Sequence, residues 1–146
     1  MTERGDIVTE ARTWTGTRYQ HQQRMKGVAV DCAGLVIGVA RELGLVPATF
    51  DVNGYPRRPD GVSLVAECDR WMYRITRAEM QPGDVIVLRF DTDPQHVGIL
   101  ADYRHGGLSI IHALSRGDGS GSVVEHRLDV TTLKRFVAAY RLPGVA

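Results

Sequence analysis

The chain lacks any uninterrupted apolar run of the ~18 residues a membrane-crossing helix requires, so no span is expected in its 146 residues. Its first residues, Met1 to Asp6, carry acidic groups and no apolar stretch, so no secretion signal is expected and the protein reads as cytoplasmic when made. Only two cysteines are present, Cys32 and Cys68, too few for a disulfide scaffold, and a reduced chain with two free thiols is the simpler reading. Charge of one sign is missing as well: with a net charge of +1 and Lys, Arg, Asp and Glu interspersed, no basic stripe exists to track a phosphate backbone, which argues against nucleic acid as a partner. Neither Cys-x-x-Cys nor His-Glu-x-x-His spacing occurs, so a metal site has no recognisable ligand set, and no internal repeat or low-complexity segment stands out.

What is present fits one domain over residues 1–146, since 43% hydrophobic content suffices for a real core. Ile7, Ala11 and Trp14 recur at helical spacing and predict a first helix from about Thr2 to Trp14, followed by a loop from Thr15 to Val30. The second helix is better marked: Asp31 caps it, Leu35, Val36, Val39 and Leu43 form one stripe, and Gly44 stands where a C-terminal glycine belongs. The stretch from Pro47 to Gly61, rich in Pro, Gly, Asp and Arg, reads as a surface loop that lines a substrate groove. A third helix over Val62 to Tyr73 places Leu64, Val65, Cys68, Trp71 and Met72 on one broad face. After the turn Gln81-Pro82-Gly83-Asp84 the pattern changes to strands: Val85–Leu88, then His96–Asp102, Leu108–Leu114, Val123–Leu128 and Phe136–Leu142. Helices first and strands later predict an α+β domain with an antiparallel sheet.

Cys32 falls in the first turn of the second helix, where unpaired backbone N–H groups and the positive dipole end favour a thiolate. The dipole is worth only ~0.3–1 kcal/mol, less than about one pKa unit, so an imidazole must supply the rest. His96 opens a strand in which Gly98 and Leu100 share its face; in the next strand Leu108, Ile110 and His112 share a face. If the turn containing Gly106 and Gly107 centres near residue 104, positions summing to 208 lie opposite one another, and His96 faces His112 directly. Cys32 as nucleophile, His96 as base and His112 as orienter then form one constellation, provided the helix docks on the histidine face, where Ala33, Gly34, Gly38 and Ala40 permit close approach. The Cys32 backbone N–H and the Tyr19 hydroxyl are candidate oxyanion donors.

The segments Gly16-Thr17-Arg18-Tyr19-Gln20-His21, Asp31-Cys32-Ala33-Gly34-Leu35-Val36, Pro82-Gly83-Asp84-Val85, His96-Val97-Gly98-Ile99, Ile111-His112-Ala113 and Tyr140-Arg141-Leu142-Pro143 resemble, in this order, the NlpC family of papain-like cell-wall cysteine peptidases, in its compact phage tail-associated form. The resemblance spans nearly the whole chain. It implies a papain-like fold with N-terminal helices packed on an antiparallel sheet, no cofactor, and Cys32, His96 and His112 as the catalytic residues, with Tyr19 near the sulfur. It further implies a murein stem peptide as substrate, cut between D-glutamate and meso-diaminopimelate, with Asp31 meeting its free amine, and phage tail proteins as partners in a virion component acting at the wall. Ala33 stands where many relatives have Ser and Arg18 where Pro is common, which bears on cleavage specificity.

Other readings use the same residues. Asp31 has a purely structural role as a helix cap, and Tyr19 one as a loop anchor; Cys68 reads as core, His21 as a loop residue, and His105 and His126 as turn and surface residues. A zinc site on Cys32, His96 and His112, an inactive wall-binding or tail-assembly module, a murein amidase, and another Cys/His acyl hydrolase such as a thioesterase are the alternatives.

Overall fold

A computed structural model describes residues 2–52, 63–90, 93–116 and 120–145. Helix α1 (Arg4–Arg12) starts at Glu3, whose side chain and that of Asp6 cap each other's backbone, and it buries Ile7, Val8 and Ala11. The expected loop up to Val30 contains a two-strand ribbon, β1 (Arg24–Met25) and β2 (Ala29–Val30), too short to show periodicity. Helix α2 (Cys32–Glu42) has its start and stop where expected: Asp31 accepts from the Gly34 N–H, and Gly44, at φ +71°, follows the C-cap Leu43. Helix α3 (Ser63–Trp71) is shorter and less buried than its pattern predicts. Of the five residues expected on its core face, only Cys68 is buried, whereas Trp71 is 44% exposed and packs edge-on against Phe50. Residues 53–61 of the predicted surface loop lie outside the described residues.

The remaining strands are β3 (Tyr73–Ile75), β4 (Val85–Phe90), β5 (Asp93–Asp102), β6 (Leu108–Ala113), β7 (Val123–Arg127) and β8 (Phe136–Arg141), with a short helix α4 (Val130–Leu133) between the last two. They form one antiparallel sheet in the order β3-β8-β4-β5-β6-β7, so the fold is α+β as expected. Three-residue β3 was not anticipated; it pairs the sheet edge with β8.

Alternation divides the sheet into two faces. Val85, Val87, Val97, Ile99 and Ile111 join Ile7, Trp14, Leu35, Val36 and Val39 of the helical layer in the main core. Ile86, Leu88, Leu100, Ile110 and Leu128 form a smaller core on the opposite face. Helix α2 lies close to α1 because Gly38 has no side chain: a Cβ there would overlap the Trp14 indole, which is pinned by its Nε1–H donating to Glu10 Oε2 at 2.9 Å. Gly38→Ala is therefore expected to lower stability by about 1–3 kcal/mol through overpacking, although alanine is the better helix former. Urea unfolding checks this, and an unchanged or raised midpoint would contradict the packing argument.

Candidate active site

The β5–β6 hairpin decides how the histidines meet. Its register pairs Ile99 with Ile111 and Leu100 with Ile110, so opposite positions sum to 210, not the expected 208. The reversal sits one residue later because Gly106 and Gly107, at φ +96° and +77°, carry it: Gly106 N–H donates to Tyr103 O and Tyr103 N–H to Gly107 O. A slip of two keeps every side chain on its face, where a slip of one would have reversed them all. His112 thus lies across from Gly98, and His96 is its diagonal neighbour, within reach of long or aromatic side chains. His96 Nε2 and His112 Nδ1 share a hydrogen bond of 2.7 Å, with both rings almost fully buried.

The helix does not dock on the histidine face as expected. It covers the alternate positions Val97, Ile99 and Ile111, while His96 and His112 belong by alternation to the face of Leu100 and Ile110. Cys32 meets β5 instead at Val97, the residue after His96, midway along that strand. Leu100 exchanges backbone hydrogen bonds on its β4 side, donating to Asp84 O and accepting from Gly83 N–H, so Val97 turns its N–H the other way, toward β6. The described β5–β6 pairing stops at Ile99–Ile111, and the Val97 N–H points at the Cys32 sulfur. A register shift in the β4–β5 ladder at Leu88/Arg89, beside His96, disrupts the pairing on the other side; such bulges re-aim side chains next to functional sites.

Three backbone N–H groups, those of Val97, Ala33 and Cys32, favour the thiolate, two of them supplied by the start of α2. They do not prevail: burial, followed by the Asp31 carboxylate, pushes the Cys32 thiol up to about 11. Burial, followed by the charge of His112, pushes His96 down to about 3, and burial followed by His126 pushes His112 down to about 4. Burial thus disfavours the charged form of all three groups.

The same burial makes the fold acid-sensitive. Below pH ~6.5 the unfolded chain protonates both rings, whereas the folded chain resists until about 4 at His112 and about 3 at His96. Stability therefore falls as pH drops through that window, by up to ~1.4 kcal/mol per pH unit for each ring. Replacing His112 with Asn is expected to halve the slope of unfolding free energy between pH 6 and 5, as read from urea titrations.

Asp31 is 1% exposed, and both its oxygens are engaged. Oδ1 accepts from Gly34 N–H at 2.7 Å and from Arg24 Nη1 at 3.0 Å; Oδ2 accepts from Gln22 N–H at 2.7 Å, with His21 Nδ1 at 3.9 Å. An amine seeking this carboxylate would have to displace Arg24. Arg24, not anticipated from the sequence, also donates to Asp51 Oδ1 and Val52 O, both at 2.8 Å, and so ties the ribbon to the segment after α2. Seven residues separate Arg24 from Asp31, and only the β1–β2 reversal brings them together, a feature without a sequence signature. Tyr19 bridges to Val30 and is half-buried in the same cluster as Cys32. Cys68 is buried in the core.

The sequence marks His126 as a surface residue. It is exposed, and its Nδ1 lies 3.3 Å from His112 Nε2, since β7 places it opposite Ile110 on the histidine face. Among the described residues no cluster of His, Cys, Asp and Glu forms a metal site, and no helix is long and apolar enough to cross a membrane.

Comparison with known proteins bears on this geometry. The NlpC/p60 domain of the peptidoglycan hydrolase SagA superposes with a TM-score of 0.62 at 20% identity, covering 97% of this chain and all of that one. An NlpC/P60 family protein from Bacillus cereus gives 0.68 at 18% identity over 95% of this chain, which spans 40% of that protein. An N-acetylmuramoyl-L-alanine amidase from Bacteroides uniformis gives 0.58 at 14% identity, covering 95% of this chain and 98% of that one. At such identities the likeness is one of fold. No curated protein sequence matches. The profile of the NlpC/P60 family matches residues 13–137, from just after α1 to the start of β8 and including Cys32, His96 and His112, and the chain belongs to that family.

Proposed function

We propose that this protein is a cysteine hydrolase of bacterial peptidoglycan, with Cys32 as nucleophile, His96 as base and His112 as orienter. The observation that carries this reading is the 2.7 Å His96–His112 hydrogen bond next to Val97, whose N–H meets the Cys32 sulfur. Because His112 meets the Nε2 side of His96, we assign the Nδ1 side to the thiol. In the proposed reaction His96 Nδ1 accepts the thiol proton as sulfur attacks the scissile carbonyl. The imidazolium then returns that proton to the leaving amine, and water releases the acyl group. The Cys32 backbone N–H and the Tyr19 hydroxyl are the proposed donors to the oxyanion.

The names borne by relatives of the same fold, a peptidoglycan hydrolase among them, support murein as the substrate class. Within it we propose the bond between D-glutamate and meso-diaminopimelate, cut by a single domain that acts at the wall as part of a phage tail or related particle. The amidase neighbour of matching length favours a second reading, cleavage of the sugar-to-peptide link.

Digestion of purified murein by wild type and Cys32→Ala, with mass spectrometry of the released peptides, separates these readings. Cysteine-dependent cleavage after D-glutamate is the expected result, while intact stem peptides freed from sugar would mean an amidase. Equal, null digestion by both proteins, on murein and on soluble stem peptides, would overturn the hydrolase reading.

A further inference from the structure

His112 can orient His96 only if its own ring is held, and both rings are buried. The chain of rings does not stop there: His96 Nε2 meets His112 Nδ1 at 2.7 Å, and His112 Nε2 meets His126 Nδ1 at 3.3 Å, with ring centroids 4.9 and 5.2 Å apart. Each step runs from an Nε2 to the next Nδ1, along successive diagonals of β5, β6 and β7, and the last ring is exposed. His126 packs on His112, and its chain neighbour Glu125 is engaged by Arg12 and Ser109.

The common polarity sets the tautomers. For His96 Nδ1 to receive a proton, the neutral ring must carry its hydrogen on Nε2 and donate it to His112 Nδ1. His112 must then carry its own hydrogen on Nε2 and donate to His126 Nδ1. We propose that His126 is a positioning residue that completes a three-imidazole chain, accepting from His112 Nε2 and so holding His112 Nδ1 as acceptor toward His96.

The thiol proton arrives at His96 Nδ1 and stays on that ring, beside the anion it balances, until it passes to the leaving amine. This rests on the cysteine-hydrolase reading above, so its test uses the sulfur itself and not only the substrate.

The rate of Cys32 alkylation by iodoacetamide, mapped by peptide mass spectrometry, is to be compared in wild type, His96→Ala, His126→Gln and His126→Leu, beside kcat and KM on soluble stem peptides. The glutamine keeps a group able to accept from His112; the leucine does not. His126→Leu is expected to slow alkylation and kcat about tenfold, the scale of one hydrogen bond to a charged ring, with KM unchanged and partial recovery in added imidazole. His126→Gln is expected between the two. Wild-type alkylation and kcat in both His126 variants, alongside slow alkylation in His96→Ala, would overturn the proposal while leaving the hydrolase reading intact. Unchanged alkylation in His96→Ala would overturn both.

Discussion

His96→Ala is expected to lower kcat/KM at pH 7 by roughly ten-thousandfold, because what remains is whatever thiolate Cys32 forms unaided. With the thiol pushed up to about 11 by burial and then by Asp31, about one molecule in 10⁴ carries a thiolate at pH 7. A loss of that size sits at the upper end of general-base effects, ~10²–10⁴. The reasoning also fixes the shape of the residual activity. In the variant it should rise about tenfold for each pH unit between 7 and 9, tracking the thiolate fraction, whereas the wild type, whose base is already neutral, should not. The histidine is buried, so circular dichroism and urea unfolding must accompany the kinetics. A variant that folds normally and keeps its rate within tenfold of wild type would remove His96 from the base role.

This expectation depends on details the sequence revealed unevenly. Helix α2 was legible almost to the residue, because a capping aspartate, an apolar stripe and a terminal glycine all agree at Asp31, Leu35–Leu43 and Gly44. The histidine-bearing strands were legible for a similar reason: alternation and the paired glycines fix which side chains share a face. The register was off by two, since a glycine pair indicates a turn without saying which of its residues is the pivot. That error preserved the face but changed a direct neighbour into a diagonal one.

The side of the sheet taken by the helix was not legible. Valine and isoleucine at 97, 99 and 111 and leucine and isoleucine at 100 and 110 are equally apolar, so hydrophobicity alone does not say which set the helix covers. The histidines suggested the wrong set. The structure instead brings sulfur and strand together through the backbone N–H of Val97, a group without a side-chain signature. His126 escaped notice for a related reason: its partnership with His112 requires the β6–β7 register, and the connection between those strands holds three glycines, Gly117, Gly119 and Gly121, with no single pivot from which to count.

Asp31→Ala is expected to be the most destabilising of the substitutions considered, by about 2–4 kcal/mol, since it takes from a buried guanidinium one of its two carboxylates, leaves buried donors unpaired and removes a cap worth ~1 kcal/mol. The Arg24 side chain is only 8% exposed, and Asp31 is one of the two carboxylates it touches. The same change frees the N–H groups of Gly34 and Gln22, and Gln22 adopts a left-handed conformation at φ +59° that its hydrogen bond to Asp31 helps hold. Asp31→Asn retains an acceptor of the same shape and should lose markedly less. If the ion pair dominates, Arg24→Met should reduce the penalty of Asp31→Ala in the double variant, a coupling that urea unfolding of the four proteins measures directly; additive effects would refute it. The sulfur provides an opposite signature. Burial is the larger cause of the raised Cys32 thiol, but the Asp31 charge is the next, so Asp31→Asn should make the thiol more acidic and its alkylation faster at neutral pH while the fold is weakened. A stability loss paired with a more reactive nucleophile would mean that this carboxylate builds the start of α2 at the expense of the thiolate.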